Sequence, residues 1–174
     1  MANYEESFQF MMRNEDAKLS GVISDEPNGG KARFGINSVA HPEALSAGFY
    51  TMSRDDAFAY AAEFYKHAFW APINGYAILN QLVANKYFDL AVNVGIHQAT
   101  LIIQRAINAT LPVDRLVVAD GKLGPRTLDA MNLVDSAELL SNIKDYGRRF
   151  YSELVADKPH LQPYLHTWLS RIAV

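Results

Sequence analysis

The 174-residue chain contains no cysteine, which excludes disulfides, thiol nucleophiles, cysteine-ligated zinc sites and iron–sulfur clusters. It also lacks a basic run, since 16 Lys and Arg residues are set against 19 Asp and Glu residues, for a net charge of −3. Nucleic-acid binding normally leaves a basic footprint, so nucleic acid is not an expected partner. No apolar run approaches the ~20 residues that a membrane-spanning helix needs. Any catalysis must therefore use carboxylates, hydroxyls or imidazoles.

The composition that is present is that of an ordinary globular protein, with 49% hydrophobic and 20% charged residues in a length near that of one domain. A chain of this size buries roughly 70% of its unfolded surface, so it needs no metal for stability. Its five histidines show no metal-ligand spacing such as HExxH. We therefore expect a single compact domain over residues 1–174, with no metal site and no cofactor.

Apolar spacing predicts that the chain begins with a helix. Tyr4, Phe8, Met11 and Glu15 are spaced by four, three and four residues, which places them on one stripe of that helix. The turn-rich stretch 24–30 lies between short apolar pairs and predicts a small β-hairpin directly after it.

Further helices are predicted downstream of the hairpin. Ser53 with Asp56 three residues later is an N-cap pattern, and Gly95 is a typical residue for a helix end. The helices are expected to begin, in order, at Ser53, near Leu79, near Leu101, at Gly124-Pro125, at the N-cap Ser136 and after Pro159. The fold class is therefore mainly α, a helical domain with a small β-hairpin after the first helix.

Several short motifs follow one another in order along nearly the whole chain. They are Glu15, Gly29-Gly30, Phe34-Gly35-Ile36, Met52-Ser53-Arg54-Asp55-Asp56-Ala57, Phe69-Trp70, Phe88 to Gly95, Asp120 to Leu128, Pro159 and Trp168-Leu169-Ser170-Arg171. In this order they resemble the glycoside hydrolase family 108 N-acetylmuramidases, bacterial and phage enzymes with a predicted peptidoglycan-binding region. The resemblance implies a lysozyme-like fold, with a glycosidase-like part over residues 4–95 and a helical peptidoglycan-binding-like part over residues 96–174.

The resemblance also implies an activity, which is hydrolysis of the β-1,4 bond between N-acetylmuramic acid and N-acetylglucosamine in peptidoglycan. In the family, the glutamate that opens a Glu-Gly-Gly-Tyr motif is taken as catalytic, and alignment on the preceding helix places it at Glu15. Here the motif reads Glu15-Asp16-Ala17-Lys18. In the family, a Thr-Asn pair precedes the aromatic-Gly-Ile stretch. Here that pair is replaced by Ala32-Arg33, so Asn37 or Ser38 is the alternative source of a polar side chain near this stretch.

Cleavage of a glycosidic bond needs a proton donor and, on the opposite face of the sugar, a carboxylate or an activated water. Glu15 lies on an apolar stripe, a partly desolvated setting that suits a general acid. Asp25 and Glu26 on the hairpin are the candidates for the second group, with Asp25 slightly favoured. Asp16 is a poorer partner because a continuing helix turns it about 100° away from Glu15. The choice between inversion and retention stays open.

Glycan strands offer amides, hydroxyls and apolar sugar faces, so Asn93, Tyr50 and Trp70 are candidate substrate-binding residues. Each has a competing structural interpretation. The two aromatic rings suit an ordinary core. Asn93 lies on the same helix face as Asp89, four residues earlier, so the two side chains are close enough to form a hydrogen bond with each other. The stretch Asp120 to Thr127 resembles a turn of peptidoglycan-binding modules, but it also suits the start of a helix.

Two other functions remain open, a catalytically silent peptidoglycan-binding or interaction protein and a lytic transglycosylase that needs only one glutamate.

The first residues, MANYEESFQFMMRNEDAKL, lack the apolar core of a secretory signal, and we expect neither a signal peptide nor a membrane anchor. A monomer made in the cytoplasm is expected to reach the periplasm or cell wall as an endolysin released by a holin, or as an effector delivered by a secretion system. A cognate inhibitor is a further possible partner.

Overall fold

The computed structural model describes residues 1–15, 18–26 and 29–174. Its strands and α-helices, in chain order, are α1 (Tyr4–Glu15), β1 (Ser24–Asp25), β2 (Lys31–Arg33), β3 (Ile36–Asn37), α2 (Pro42–Ser46), α3 (Arg54–Tyr65), α4 (Gln81–Val94), α5 (Ile96–Asn108), α6 (Pro125–Leu133), α7 (Ser136–Asp157) and α8 (Leu165–Ala173). A π-helical turn, Lys66–Trp70, continues α3, and a 3₁₀ turn, Pro159–Tyr164, leads into α8. The prediction of a mainly α fold with a small sheet after the first helix is confirmed.

Helix α4 forms the centre of the molecule. Residues 83–91 are all buried, and the helix contacts α1, α5 and α7. A helix that is enclosed on all sides is expected to be largely apolar, yet α4 buries the charged side chains of Lys86 and Asp89. Buried charges are costly unless they are paired, so these two residues mark a place where the core is built around polar partners.

Helix α1 packs its predicted stripe against this centre. Tyr4, Phe8 and Met11 are buried, and the Phe8 ring lies 5.7 Å from the Tyr4 ring and 5.4 Å from the Phe58 ring. The stripe predicts the burial of these three residues correctly. It also carries Glu15, the last residue of α1, to the edge of the core.

Two helix starts test the predicted caps. Ser53 caps α3, since its Oγ accepts a hydrogen bond from the Asp56 amide at 3.1 Å, as predicted. The prediction for α7 is wrong by one residue, because Asp135 is the cap and accepts from the Glu138 amide at 2.8 Å. A carboxylate at the positive end of a helix dipole also gains electrostatic stabilisation, which the hydroxyl of Ser136 does not offer.

The predicted hairpin is extended to a three-stranded antiparallel sheet in the order β1-β2-β3. The second connection is a two-residue turn, Phe34-Gly35, between the paired residues Arg33 and Ile36. Both turn residues have positive φ, 48° and 77°, which is typical of the type I′ turns that join twisted strands. A phenylalanine in this conformation is unusual. Its ring is buried against Phe58, which compensates the backbone strain.

A buried arginine ties the sheet to the chain that follows it. The Arg33 guanidinium donates to the carbonyl oxygens of Gly21, Phe49 and Met52 at 2.8–2.9 Å, and more weakly to that of Ser53 at 3.4 Å. These carbonyls come from the loop before β1, from the 3₁₀ turn Phe49–Thr51 and from the residues that lead into α3. The residue that replaces the second position of the family's Thr-Asn pair is therefore a structural anchor.

Arg33→Met is expected to destabilise the protein strongly. The substitution removes the guanidinium that donates to the carbonyls of Gly21, Phe49 and Met52, and the loss of several charge-assisted hydrogen bonds should lower the free energy of unfolding by about 3 kcal/mol. Urea denaturation followed by circular dichroism measures this change. Arg54→Met is the matched control, because Arg54 also donates to a carbonyl, that of Leu19, but is exposed and should change stability by less than about 1 kcal/mol. Equal losses in the two variants would contradict the anchoring role.

Candidate active site

A cleft of about 470 Å³ opens between the end of α1 and the sheet. The residues that line it come from the α1 terminus, the following loop and all three strands, namely Glu15, Ser20, Val22, Ser24, Glu26, Ala32, Arg33, Phe34, Gly35 and Asn37. The cleft therefore brings together Glu15 and the hairpin, as the sequence predicts.

Glu15 lies at the wall of this cleft with its two carboxyl oxygens in different settings. Oε1 accepts a hydrogen bond from Nη1 of Arg171 at 2.6 Å. Oε2 lies on the side of Gly35, where a methyl group built on that glycine would stand 3.0 Å from it. The side chain is 21% exposed. One oxygen is thus held by Arg171, while the other lies beside Gly35, a residue that lines the cleft.

Arg171 reaches this point from helix α8 and also contacts Asp89 of α4. Its Nε donates to Oδ1 of Asp89 at 3.1 Å, and Nη2 lies 2.9 Å from the same oxygen without making a hydrogen bond. Asn14 donates a further hydrogen bond to that oxygen at 3.0 Å. Burial by itself would lower the pKa of Arg171, but the charges of Asp89 and Glu15 outweigh it and raise that pKa. The guanidinium is therefore a fixed positive charge between two carboxylates.

Two lysines hold the end of helix α8. Lys86 donates to the Arg171 carbonyl at 3.0 Å, and Lys144 donates to the carbonyls of Ala173 and Val174 at 2.8 and 3.0 Å. Cations are favoured at a helix C-terminus, where carbonyl groups lack partners. Burial lowers the pKa of Lys86 to about 8, although the charge of Asp89 opposes this. These contacts fix the last turn of α8 and with it the position of Arg171.

Tyr65 is buried next to the Phe34-Gly35 turn. Its hydroxyl donates to the Phe34 carbonyl at 3.0 Å, and a methyl group on Gly35 would stand 2.6 Å from that hydroxyl. Burial raises the pKa of Tyr65, and the charge of Glu15 raises it further. The phenol therefore stays protonated and remains a donor, so it holds the strained turn next to Glu15.

The structure separates the two candidates for the second catalytic group. Glu26 lines the cleft and accepts a hydrogen bond from the Ser24 hydroxyl at 3.2 Å. Asp25 is exposed and is not among the lining residues. Neighbouring side chains alternate between the faces of a strand, so Ser24 and Glu26 share the face that Asp25 does not. Asp16, the poorer candidate, lies outside the described residues.

The two candidate replacements for the family's polar pair also differ in position. Asn37 lines the cleft, and its Oδ1 accepts from the amides of Val39 and Ala40 at 2.8 and 3.3 Å. Ser38 does not line the cleft, and its hydroxyl accepts from the Lys31 amide at 2.8 Å. Asn37 is therefore the one whose side chain borders the space above Glu15.

The three predicted substrate-binding residues lie away from the cleft. Trp70 is fully buried, and Tyr50 is buried with its hydroxyl donating to the Ile36 carbonyl at 3.0 Å. Neither ring has a free face for a sugar, so the core interpretation describes both. Asn93 accepts from the Tyr151 hydroxyl at 2.5 Å. The expected bond between Asn93 and Asp89 is not formed, because Asp89 is engaged by Arg171 and Asn14.

The stretch from Asp120 has a structural role. Asp120 accepts from Gln104 at 3.0 Å and from the Lys122 amide at 2.9 Å. The hydrogen bond from Gln104 is the main reason why the pKa of Asp120 is lowered. Gln104 is buried and also accepts from the Gly121 amide at 2.8 Å, so it fastens this loop to α5.

Two kinds of feature are absent from residues 1–15, 18–26 and 29–174. No group of three or more His, Asp and Glu side chains is arranged to hold a metal ion. No helix in these ranges is both long enough and apolar enough to cross a membrane.

Sequence reasoning missed the partners of Glu15. Arg171 and Asp89 fall within the motifs that carry the family resemblance, but their contact with Glu15 is not a local pattern. The one signal in the sequence is that Lys86 and Asp89 interrupt the apolar helix α4. A charge in a helix that is otherwise apolar indicates a buried partner elsewhere in the chain.

Comparison with known proteins finds two matching family models and a similar solved structure. The family model of Glycosyl hydrolase 108 matches residues 12–95, and that of a Predicted Peptidoglycan domain matches residues 98–173. A search of curated proteins finds no significant match. Among solved structures, SagA of Brucella abortus is similar, with a TM-score of 0.70 and 18% identity over 98% of this chain and 89% of that chain. That likeness bears on the fold, which is mainly α and lysozyme-like.

The two family matches cover the cleft and the helix that supplies Arg171, respectively. Glu15, the sheet and Asp89 lie in the first match, and Arg171 lies in the second. The chain matches the glycosyl hydrolase 108 family over residues 12–95 and a predicted peptidoglycan domain over residues 98–173, and it is a glycoside hydrolase that acts on peptidoglycan.

Proposed function

We propose that the protein is an N-acetylmuramidase that cleaves the β-1,4 bond between N-acetylmuramic acid and N-acetylglucosamine, with Glu15 as the general acid. The observation that carries this proposal is the asymmetric setting of the Glu15 carboxyl group. Oε1 is held by Arg171, and Oε2 lies beside Gly35 at the cleft. An acid held in this way can present a proton to a substrate from one defined atom.

The reaction follows from this geometry. Oε2 of Glu15 donates its proton to the glycosidic oxygen, so that the bond from that oxygen to the anomeric carbon breaks and the leaving sugar departs as an alcohol. Positive charge then develops on the ring of the other sugar. A carboxylate on the opposite face stabilises this charge or takes a proton from the attacking water. Glu26 is the group that we propose for this role, since it lines the same cleft.

Glu26→Gln is expected to slow turnover by roughly 10²-fold, because an amide neither carries the charge nor accepts the proton. Asp25→Asn is the matched control, one residue away on the opposite face of the strand, and should leave turnover unchanged. Release of reducing sugar from purified peptidoglycan measures both. A slow Asp25→Asn with an unchanged Glu26→Gln would move the role to Asp25, and unchanged rates in both would move it to a hydroxyl or a bound water.

The two parts of the chain are proposed to divide the work. The part over residues 4–95 carries out cleavage, and the part over residues 96–174 contributes to binding of the glycan strand. We propose a monomer that acts in the periplasm or cell wall, after release through a holin or delivery by a secretion system. A cognate inhibitor, where one exists, would gain most by covering the cleft at Glu15.

Mass spectrometry of the products from purified peptidoglycan tests the proposed bond. Products with reducing N-acetylmuramic acid ends are expected. Reducing N-acetylglucosamine ends would show cleavage of the other glycosidic bond, and anhydro-muramoyl ends would show a lytic transglycosylase. Intact glycan that retains the protein on the insoluble wall would show a silent binding protein. Each of these three outcomes would overturn the proposal.

A further inference from the structure

Helix α8 places a positive charge in the active site from the predicted peptidoglycan domain. Arg171 lies in the last turn of α8, and its side chain is 10% exposed between Glu15 and Asp89. Glu15 and Arg171 are 156 residues apart in the chain. The setting of Glu15 therefore depends on the last turn of α8, which Lys86 and Lys144 hold in place.

The two carboxylates that share Arg171 are not equivalent. Asp89 is 2% exposed and is bound by Nε of Arg171 and by Asn14. Glu15 is ten times more exposed and receives one hydrogen bond, from Nη1. Because a buried guanidinium needs a compensating negative charge, Asp89 is the partner that balances Arg171. Glu15 is left with an oriented donor but without a countercharge of its own.

We propose that Asp89 and Arg171 are positioning residues that act as a charge-neutral pair. The pair fixes Oε1 of Glu15 and makes the protonated form of Glu15 the electroneutral one. With Glu15 protonated, the three side chains carry no net charge, and with Glu15 ionised they carry −1. If Asp89 were neutral, the balance would reverse, and the ionised form of Glu15 would be the electroneutral one. Asp89 therefore keeps the acid able to donate, although an arginine contacts it. This inference rests on the proposed role of Glu15.

Other titratable groups face this cluster from each element packed against it. They are Tyr65 of α3, Lys86 of α4, Lys144 and Tyr151 of α7, Arg33 of β2, and Glu26 directly after β1. Burial raises the pKa of both tyrosines, so they stay neutral through the assay range. Lys86 titrates within that range and contacts the Arg171 carbonyl, so the pH profiles are recorded in the Lys86→Met background as well.

The test is the alkaline limb of the profile of kcat/KM against pH, where a general acid loses its proton. In Asp89→Asn, Glu15 is the one carboxylate left to Arg171, so the limb should move to lower pH by about one unit or more. In Arg171→Met, Glu15 is left beside Asp89, so the limb should move to higher pH, with a lower maximum rate. The double variant replaces a neutral pair by neutral groups, and its limb should lie near that of the wild type.

Opposite shifts in the two single variants, present in both backgrounds, support the inference. A purely structural role would lower the maximum rate and the melting temperature without moving the limb, and shifts in one direction or no shift would overturn the inference. If Asp89→Asn does not fold by circular dichroism, Arg171→Met carries the test on its own. Its limb should move to higher pH, and a limb that stays or moves to lower pH would overturn the inference.

A failure of the charge-neutral pair can be distinguished from a failure of the proposed function. Wild-type protein that gives no reducing N-acetylmuramic acid ends would overturn the proposed function itself. Wild-type protein that gives those ends, with single variants that fail to shift in opposite directions, would overturn the charge-neutral pair alone.

Discussion

Glu15→Gln is expected to reduce peptidoglycan cleavage by about 10²–10⁴-fold, the usual contribution of a positioned general acid. The amide has nearly the same shape as the acid, and its oxygen can still accept the hydrogen bond that Oε1 takes from Arg171. It has no proton that it can transfer to the leaving oxygen. The melting temperature should therefore change little while turnover is lost.

The comparison needs a control on the same helix. Glu6→Gln makes the same chemical change at an exposed position in the first turn of α1 and should leave cleavage unchanged. Clearing of cell walls and release of reducing ends measure activity, and thermal denaturation measures stability. Glu15→Gln protein that clears walls at the wild-type rate would remove Glu15 from the mechanism. Retained binding of the inactive variant to insoluble peptidoglycan would show that binding and cleavage are separate.

Local pattern was enough to predict the elements on which the site is built. The spacing of Tyr4, Phe8 and Met11 places Glu15 at the end of a helix, and the cap at Ser53 fixes the start of another. These predictions succeed because each depends on residues within one or two helical turns. The third strand, Ile36–Asn37, was missed because two residues are too few to show an alternating pattern.

The candidate site could be proposed from the sequence only in part. Family resemblance gave Glu15, but the choice between Asp25 and Glu26 depends on strand register, which turns every side chain to the other face when it changes by one residue. Aromatic residues such as Trp70 and Tyr50 occur both in sugar-binding surfaces and in protein cores. Only their packing in the folded chain distinguishes these two roles. Arg171 meets Glu15 from the opposite end of the chain, so no local pattern predicts that contact.

Gly35→Ala is expected to lower activity by roughly 10²-fold, since a displacement of about 1 Å at a reacting group costs that much. Gly35 has a φ of +77°, in which an alanine is strained by roughly 1–2 kcal/mol. Its methyl group would stand 2.6 Å from the Tyr65 hydroxyl and 3.0 Å from Oε2 of Glu15. Both side chains must shift, which breaks the bond from Tyr65 to the Phe34 carbonyl and moves the proton donor.

Gly48→Ala separates this displacement from backbone strain. Gly48 has a similar φ of +74° but lies outside the cleft lining, and the nearest atom to a methyl group there is Oγ1 of Thr51 at 3.6 Å. It should lose about 1 kcal/mol of stability through strain and keep its activity. Activity on peptidoglycan and urea denaturation are measured for both variants. If the two lost activity equally, strain alone would explain the loss at Gly35. If Gly35→Ala stayed active, Oε2 would not be the atom that delivers the proton.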